Sequence, residues 1–265
     1  LTRSSAASDV YKRQMHALGI ISETASSKMG ELGTTTFRPP YTPLTFGTIV
    51  GRNVGKYFDI IRKTPIHEWH IENKAEFENV GQWKRAWYYP QNGENMHEAV
   101  QRESKAARDS AGILDASTLG KIDIQGTDAS EFLNRVYTNA WSKLEIGKCR
   151  YGLMLNEDGM VYDDGVTTRL DENHYIMTTT TGGAATVLGK LEDYLQTEWP
   201  ELDVYLTSVT DHYATISVCG PNSKKIIQKV IPEIDLSDKD FPHMSFKNSK
   251  IGKVKCRVMR ISFTG

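Results

Sequence analysis

Three strand-like runs joined by short turns occupy residues 149–181, and this segment constrains the fold of the chain most. The runs cover residues 151–155, 160–168 and 175–181. An Asn-Glu-Asp-Gly sequence between the first two runs, and an Asp-Glu-Asn-His sequence between the last two, are typical of tight turns between neighbouring strands. The segment therefore predicts a meander of three strands.

Helical patterns alternate with further strand-like runs on both sides of this meander. Because their order follows no strict β-α-β repeat, the chain is predicted to have an α+β fold with mixed, mostly antiparallel sheets and flanking helices. Thr127 and Asp128 are predicted to cap a helix, and Ile122 and Ile124 alternate with polar residues that include Lys121. The predicted helices cover residues 95–111, 129–137, 184–197 and 220–230, and the further strands lie within residues 113–126, 204–206, 213–219 and 254–263.

The composition argues against several classes of protein. The 265 residues include 32 Lys and Arg against 33 Asp and Glu, so the formal net charge is −1, which argues against a nucleic-acid partner. No run approaches the roughly 18 apolar residues that a membrane span needs. The three cysteines form no CxxC pair, which favours reduced thiols in the cytoplasm, or in the mitochondrial matrix of a eukaryote.

Three segments each allow two interpretations. The proline-rich residues 34–43 form either a free linker or, as their aromatic content favours, a segment pinned across a surface or interface. His67 and His70 could present two imidazoles to a metal from one helical face, but the missing third ligand favours histidines of the core or surface, and no metal is predicted. The aromatic run at 83–90 could stack bases, but a packed strand is favoured.

Asp163 and Asp164 lie in the middle of the second, otherwise apolar strand of the meander. Successive side chains of a strand point to opposite faces, so one carboxylate is expected in solvent and the other in a core or cavity, where an unpaired charge is costly. A buried carboxylate is a candidate functional group; the alternative is an edge strand with both carboxylates in water. The same alternation argues against a metal bound by both groups.

Side chains of the neighbouring strands are expected to surround Asp164. A single carboxylate with one aromatic ring and several uncharged hydroxyls suits a flat, polar, nitrogen-containing ring better than a phosphate. No Ser-His-Asp order or activated cysteine is evident. The expected lining consists of Tyr151, Leu155, Val166 and the threonines at 178–181.

Five motifs resemble the folate-binding domain of the glycine-cleavage T-protein, or aminomethyltransferase, family in their order and spacing. They are DASTLGKIDIQG at 115–126, LNEDGMVYDD at 155–164, YIMTTT at 175–180, CGP at 219–221 and SFTG at 262–265. The segment GTTTFRPPYTPLTFG at 33–47 resembles the α subunits of heterotetrameric sarcosine oxidases, as do the Asp-Asp-Gly and Thr-Thr-Thr-Thr-Gly-Gly variants within the motifs.

The resemblance implies a ring of small subdomains around a folate channel, with tetrahydrofolate as the ligand. Asp164 matches the acidic residue of the family that lies beside the folate nitrogen accepting the one-carbon unit, and it is the implied catalytic residue. Leu119 and Tyr151 match positions that line the pterin pocket. Thr179 stands where T-proteins carry an Asn. The implied folate-binding residues are Leu119, Tyr151, Val166, Thr178 and Thr179.

The resemblance to the sarcosine oxidase α subunit also implies an activity and partners. Sarcosine would be oxidised at a flavin, FMN or FAD, held mainly by a partner β subunit, and the released one-carbon unit would meet tetrahydrofolate to give 5,10-methylene-tetrahydrofolate. NAD would belong only to the complete complex. Two alternatives remain: a T-protein-like aminomethyltransferase, which needs a lipoyl carrier protein, and a non-catalytic folate-domain scaffold.

The resemblance divides the chain into three parts. Residues 1–14 look like an adaptor-derived leader, residues 15–94 form a lead-in and interface segment, and residues 95–265 form the folate-binding domain. The family has a folate-gripping Glu directly after the Thr-Gly at 264–265, and a β-barrel beyond it. We therefore expect a C-terminally truncated domain that binds folate weakly or not at all, and is inactive, on its own.

Overall fold

The structure is a computed structural model. It describes residues 61–262, together with the isolated positions Ile20, Glu23, Thr24 and Ser26. The chain divides into two compact units, Leu1–Ile60 and Ile61–Gly265. The predictions for residues 1–14 and for the proline-rich segment 34–43 lie outside the described residues.

In the first unit, two hydrogen bonds are typical of helical or turn backbone. The hydroxyl of Thr24 donates to the carbonyl of Ile20 over 2.8 Å, and the Ser26 amide donates to the Glu23 carbonyl over 3.3 Å. The second unit carries the sheets and every sequence-predicted site residue.

The second unit alternates short strands with helices of one to four turns. Its first half contains β1 (Arg62–Lys63), α1 (His67–Glu72), β2 (Glu76–Val80), β3 (Trp83–Tyr88), α2 (Met96–Asp109), β4 (Gly112–Asp115), β5 (Gly120–Gln125), α3 (Ala129–Val136) and a 3-10 helix (Trp141–Lys143). Its second half contains β6 (Cys149–Leu155), β7 (Val161–Asp171), β8 (His174–Thr179), α4 (Ala184–Asp193), a π-helix (Tyr194–Glu198), β9 (Tyr205–Ser208), a 3-10 helix (Thr210–His212), β10 (Ile216–Cys219), α5 (Ser223–Val230), β11 (Ser245–Ile251) and β12 (Val254–Arg260).

Four sheets organise these strands. The largest has five strands in the order β6-β7-β8-β5-β9, and a smaller one has the order β1-β3-β2. The pairs β4–β10 and β11–β12 form two-stranded sheets. Among the described strands, β1–β3 is the parallel pair and the other pairs are antiparallel. The predicted α+β fold with mostly antiparallel sheets and flanking helices is confirmed.

The meander predicted from the sequence is the β6-β7-β8 part of the five-stranded sheet. Strand β7 lies between β6 and β8 in the sheet order, but the segment with the two aspartates is paired with β6 alone among the described strands. The alternative that both carboxylates lie in water is wrong, because Asp163 is buried. Asp164 stands opposite Leu153 of β6, and the ladder between β7 and β8 begins at Thr167 opposite Met177. The first residues of β7 therefore extend past the paired part of β8.

The main hydrophobic core packs α3 and α4 against the five-stranded sheet. Apolar residues of β5, β6 and β8 supply the sheet side of this core. Its largest fully buried members include Trp141, Tyr175 and Phe132. A second, smaller cluster joins α5 to the β11–β12 hairpin through Ile231, Ile234, Leu236 and Phe241. The strongly amphipathic α3 thus fixes the back of the sheet on which the aspartates lie.

Two local predictions were wrong in detail. Asp128 stands at the N-cap of α3, but its side chain makes no capping hydrogen bond, because Oδ2 instead accepts from the Asp203 amide over 2.9 Å. The predicted helix at 184–197 changes to a π-helix at Tyr194. The Tyr194 ring then packs on Trp199, with 5.1 Å between the ring centroids.

Several elements carried no clear signal in the sequence. They are strands β1, β2 and β11, the short helix α1 and the two 3-10 helices. Strands β2 and β11 mix charged residues with few apolar ones, so the alternation that indicates a half-buried strand is weak. Among the described residues, no helix has the length and apolar character needed to cross a membrane.

Candidate functional site

Asp164 and Tyr151 form a pair on one face of the β6–β7 ladder. The hydroxyl of Tyr151 donates a hydrogen bond of 2.7 Å to Oδ2 of Asp164. Asp164 is partly buried, whereas 44% of Tyr151 is exposed. The hydrogen bond to Asp164 raises the pKa of the Tyr151 phenol. A carboxylate oriented by a phenol and reachable from solvent can accept a proton or stabilise a neighbouring positive charge.

Asp163 points to the opposite face and is only 4% exposed. Its Oδ1 accepts a hydrogen bond of 2.6 Å from the Thr180 hydroxyl, and the Thr180 amide also donates to this carboxylate. Burial raises the pKa of Asp163, and the bonds from Thr180 offset only part of that effect. The prediction that alternation sends the two carboxylates to opposite faces is thereby confirmed. The buried carboxylate is Asp163 and not Asp164, so the argument that burial marks the candidate functional group does not apply to Asp164.

Val166 and Thr178 meet where β7 and β8 begin to separate. The Thr178 hydroxyl accepts a hydrogen bond of 2.9 Å from the Val166 amide and donates one of 3.2 Å to the Val166 carbonyl. Gly165 makes this approach possible, since a Cβ there would lie 1.9 Å from the Thr178 carbonyl oxygen. The threonine side chain thus replaces a rung of the β7–β8 ladder beside Asp164.

Leu119 and Thr179 come together at the other side of β8. Gly120, which follows Leu119, pairs with Thr179, and a Cβ on Gly120 would lie 2.0 Å from the Thr179 hydroxyl. Thr179 is buried and donates to the Thr180 carbonyl over 3.0 Å, whereas Leu119 is half-buried. The structure therefore brings the predicted residues together as a Tyr151–Asp164 pair, a Val166–Thr178 pair and a Leu119–Thr179 neighbourhood.

The threonine run does not act as one lining. Thr178 and Thr179 face different surroundings, Thr180 binds Asp163, and the hydroxyl of Thr181 lies 3.0 Å from that of Thr118. The expectation that all four threonines surround Asp164 is wrong, because strand alternation and the end of β8 at Thr179 separate them.

The predicted position of Lys121 on the polar face of β5 is wrong. Alternation with Ile122 and Ile124 predicted it on the polar face of β5, but it is only 4% exposed. Its Nζ donates to the carbonyls of Ser117 and Leu119 over 3.1 and 2.9 Å. Burial lowers the pKa of Lys121 to about 8, although Asp115 and Asp211 partly offset that effect.

The two histidines of α1 belong to the interior of the second unit. Both are buried, and His70 contacts Oδ2 of Asp115 over 2.9 Å and the Tyr89 hydroxyl over 2.6 Å. Burial would raise the pKa of Asp115, but hydrogen bonds from His70 and Ser117 outweigh it and lower the pKa. His67 and His70 are therefore buried residues of the core. Within residues 61–262, no group of three or more His, Cys, Asp or Glu side chains is arranged to hold a metal ion.

The aromatic run at 83–90 contains strand β3, as the sequence favoured, but it is packed only in part, because 51% of Trp87 is exposed. Trp83 is 5% exposed and lies beneath the Arg62 guanidinium, 4.1 Å from the ring centroid. A cavity of about 300 Å³ exists elsewhere, between α3, the end of β6 and the π-helix. Its lining includes Val136, Met154, Leu155, Tyr194 and Trp199. Leu155 was expected around Asp164 but lines this cavity instead, and none of the five implied folate-binding residues lines it.

Comparisons with known proteins agree with this architecture. Residues 66–265 match the model of the GCVT N-terminal domain family, and residues 2–52 match that of the sarcosine oxidase A3 domain. The matched GCVT segment begins upstream of β3, whereas the sequence analysis placed the domain boundary at residue 95, which stays a prediction. The glycine-cleavage aminomethyltransferase T of Bartonella henselae has the same fold with a TM-score of 0.64, at 22% identity over 77% of this chain and 51% of that chain.

Sarcosine oxidase α subunits are much closer in sequence. The chain is 54% identical to sarcosine oxidase subunit alpha of Corynebacterium sp. (strain U-96) over 94% of its length, and 46% identical to that of Rhizobium meliloti (strain 1021) over 100%. The chain spans about a quarter of the length of these relatives, 26% and 27% respectively. Because the GCVT match covers most of the chain and agrees with the fold, this chain belongs to the GCVT N-terminal domain family.

Proposed function

We propose that this chain supplies the tetrahydrofolate-binding region of a sarcosine oxidase α-type subunit. The Tyr151–Asp164 pair is the observation that carries the proposal, because a solvent-reachable carboxylate oriented by a phenol suits a ligand that presents ring nitrogens. The high identity to sarcosine oxidase α subunits favours this assignment over a T-protein.

The residues of the proposed site fall into three roles: a carboxylate, a phenol that orients it, and side chains that line the ring. Asp164 would accept a hydrogen bond or a proton from a ring N–H and stabilise positive charge that develops nearby. Tyr151 orients that carboxylate through Oδ2, and Val166, Thr178 and Leu119 would line the ring. Thr179 is buried and is therefore not proposed to contact the ligand. Tetrahydrofolate, when bound, supplies the nitrogens that accept a one-carbon unit.

At the level of the complete complex, the proposal has consequences beyond this chain. A partner β subunit would hold the flavin that oxidises sarcosine, NAD would bind outside this segment, and 5,10-methylene-tetrahydrofolate would be the product. The alternatives are an aminomethyltransferase, which takes its one-carbon unit from a lipoyl carrier, and a scaffold that binds without catalysis.

A titration with 5-formyl-tetrahydrofolate, followed by backbone amide chemical shifts, tests ligand binding even if it is as weak as millimolar. We expect shifts at Leu119, Tyr151, Asp164 and Val166. The variant Asp164→Asn should bind about tenfold more weakly, the equivalent of about 1.4 kcal/mol, and Tyr151→Phe should have a smaller effect.

The matched control is Asp158→Asn, an exposed aspartate in the turn between β6 and β7 whose substitution should leave the affinity unchanged. Shifts confined to residues outside the site, or equal affinities for Asp158→Asn and Asp164→Asn, would refute the assignment. In an assembled sarcosine oxidase, Asp164→Asn should abolish methylene-tetrahydrofolate formation while flavin turnover persists; the scaffold alternative predicts no change.

A further inference from the structure

Lys121 is a buried cation whose hydrogen-bond acceptors belong to one turn of the main chain. Its Nζ lies between the carbonyl oxygens of Ser117 and Leu119, at 3.1 and 2.9 Å. Lysine is almost never fully buried unless it is paired with an opposite charge. Neither acceptor here is a carboxylate. By binding two carbonyl oxygens of the same turn, the ammonium group instead fixes the backbone of that turn.

The part of this turn before Leu119 is attached to its surroundings at several points. The Ala116 amide donates to the Thr215 carbonyl over 2.8 Å, and the Thr215 amide donates to the Ser117 hydroxyl over 3.0 Å. The Thr118 hydroxyl lies 3.0 Å from that of Thr181. Residues 116–118 are therefore fixed to two other segments of the unit.

Leu119 depends more strongly on Lys121. Its amide donates to the Ala116 carbonyl over a longer distance of 3.2 Å, and its carbonyl accepts the 2.9 Å bond from Lys121. The next residue, Gly120, has no room for a side chain, because a Cβ there would lie 2.0 Å from the Thr179 hydroxyl of β8 and 2.6 Å from the Ala184 Cβ of α4. Lys121 thus connects the fixed residues 116–118 to a residue that is only half-buried.

We propose that Lys121 is a positioning residue for the folate pocket, and that its ammonium group fixes Leu119 by binding the carbonyl oxygens on both sides of Thr118. This inference rests on the proposed function, since it assumes that Leu119 lines the pocket. Side chains that support a binding site from behind act by keeping the contacting residues in a narrow range of positions.

Burial of Lys121 makes this device sensitive to pH. Asp115 of β4 and Asp211 of the 3-10 helix favour the protonated amine, whereas burial opposes it, and the pKa is lowered to about 8. Asp115 is bound to His70 of α1, and Asp211 is bound to Arg62 of β1 over 2.7 Å. Above neutral pH the amine becomes neutral, and a neutral amine donates weaker hydrogen bonds than an ammonium group.

The test measures 5-formyl-tetrahydrofolate affinity of the whole chain by amide chemical shifts, for the wild type and for Lys121→Met. Methionine keeps a similar side-chain volume but donates nothing. We expect about tenfold weaker binding, together with changed shifts of Leu119 in the free protein. Lys255→Met, on the exposed side of β12, is the matched control and should bind as the wild type does.

A second measurement needs no variant and decides the question if Lys121→Met does not fold. The wild-type affinity should fall about two- to threefold between about pH 7 and pH 9, and Lys121→Met, if folded, should lack this dependence. Wild-type binding that is equal at both pH values, or equal binding by wild type and Lys121→Met, overturns the positioning role alone. If the chain alone does not bind, the same variants are compared in an assembled sarcosine oxidase that contains this segment. No binding by the wild type there refutes the proposed function, and the positioning role with it.

Discussion

Replacing Gly165 by Ala should strongly destabilise the five-stranded sheet. A Cβ at this position would lie 1.9 Å from the Thr178 carbonyl oxygen and 2.8 Å from its carbonyl carbon, whereas ordinary contact begins at 3.4 Å. The overlap with the oxygen is therefore 3.4 − 1.9 = 1.5 Å. Both atoms belong to the backbone, so the clash is relieved only when β7 and β8 move apart and the Thr178–Val166 hydrogen bonds break.

The expected cost is about 3 kcal/mol, at the upper end for overpacking by one methyl group. For a unit of roughly 200 residues, each kcal/mol lowers the melting temperature by about 2–4 °C, so Gly165→Ala should melt about 6–12 °C below the wild type. Urea unfolding followed by circular dichroism gives the same comparison as a free energy.

Gly182→Ala is the matched control, because no atom outside its neighbours lies within 4 Å of the added Cβ. That variant should stay within about 0.5 kcal/mol of the wild type. If Gly165→Ala unfolds within about 0.5 kcal/mol of Gly182→Ala, the close approach of β7 to Thr178 is not a constraint, and the argument for this glycine fails.

Three further substitutions test other parts of the structure. His70→Ala breaks the buried contact with Asp115 and should cost about 3 kcal/mol in urea unfolding, whereas His174→Ala, which loses a partly exposed pair with Asp123, should cost under about 1 kcal/mol; equal losses would contradict the difference in burial. The pKa of Asp163 is raised, so ionisation of this carboxylate destabilises the native state. The stability of the wild type relative to Asp163→Asn, measured by thermal unfolding at each pH, should therefore be greatest near pH 3 and should fall towards pH 7. The opposite slope would mean that the pKa is lowered, not raised. Asn95→Ala removes the capping box of α2 and should cost about 1 kcal/mol, while Gln91→Ala, just outside the helix, should cost less; equal costs would show that the cap is dispensable.

The sequence predicts this fold well where periodicity and turn residues agree. The β6-β7-β8 meander and helix α2 follow from alternation, turn residues and helical spacing, and the opposite directions of Asp163 and Asp164 follow from strand geometry alone. The pairing of Tyr151 with Asp164 also follows, because alternation along the two strands of the hairpin places both side chains on the same face.

The misplaced residues have tertiary causes. Lys121 is a charged residue at a position that strand alternation places on the polar face. The local sequence therefore does not indicate that its side chain folds back and binds the carbonyls of the preceding turn. Asp115 lies at the end of a four-residue strand, and its partner His70 belongs to helix α1. His70 is in turn bound to Tyr89, which follows β3. The buried polar network therefore depends on contacts between residues far apart in sequence, which no local pattern records.

The pairing of β4 with β10 has a consequence for the order of folding. Gly112 stands opposite Cys219, and 107 positions of the chain separate them. Closing so long a loop is entropically unfavourable until the intervening segments have collapsed, so long-range pairs of this kind form late. During synthesis, β4 emerges from the ribosome well before β10, so its backbone hydrogen-bonding groups are unpaired until β10 is made. Its side chains Ile113 and Leu114 are exposed even in the folded structure. Nascent chains that stop between these strands are therefore the ones most prone to self-association.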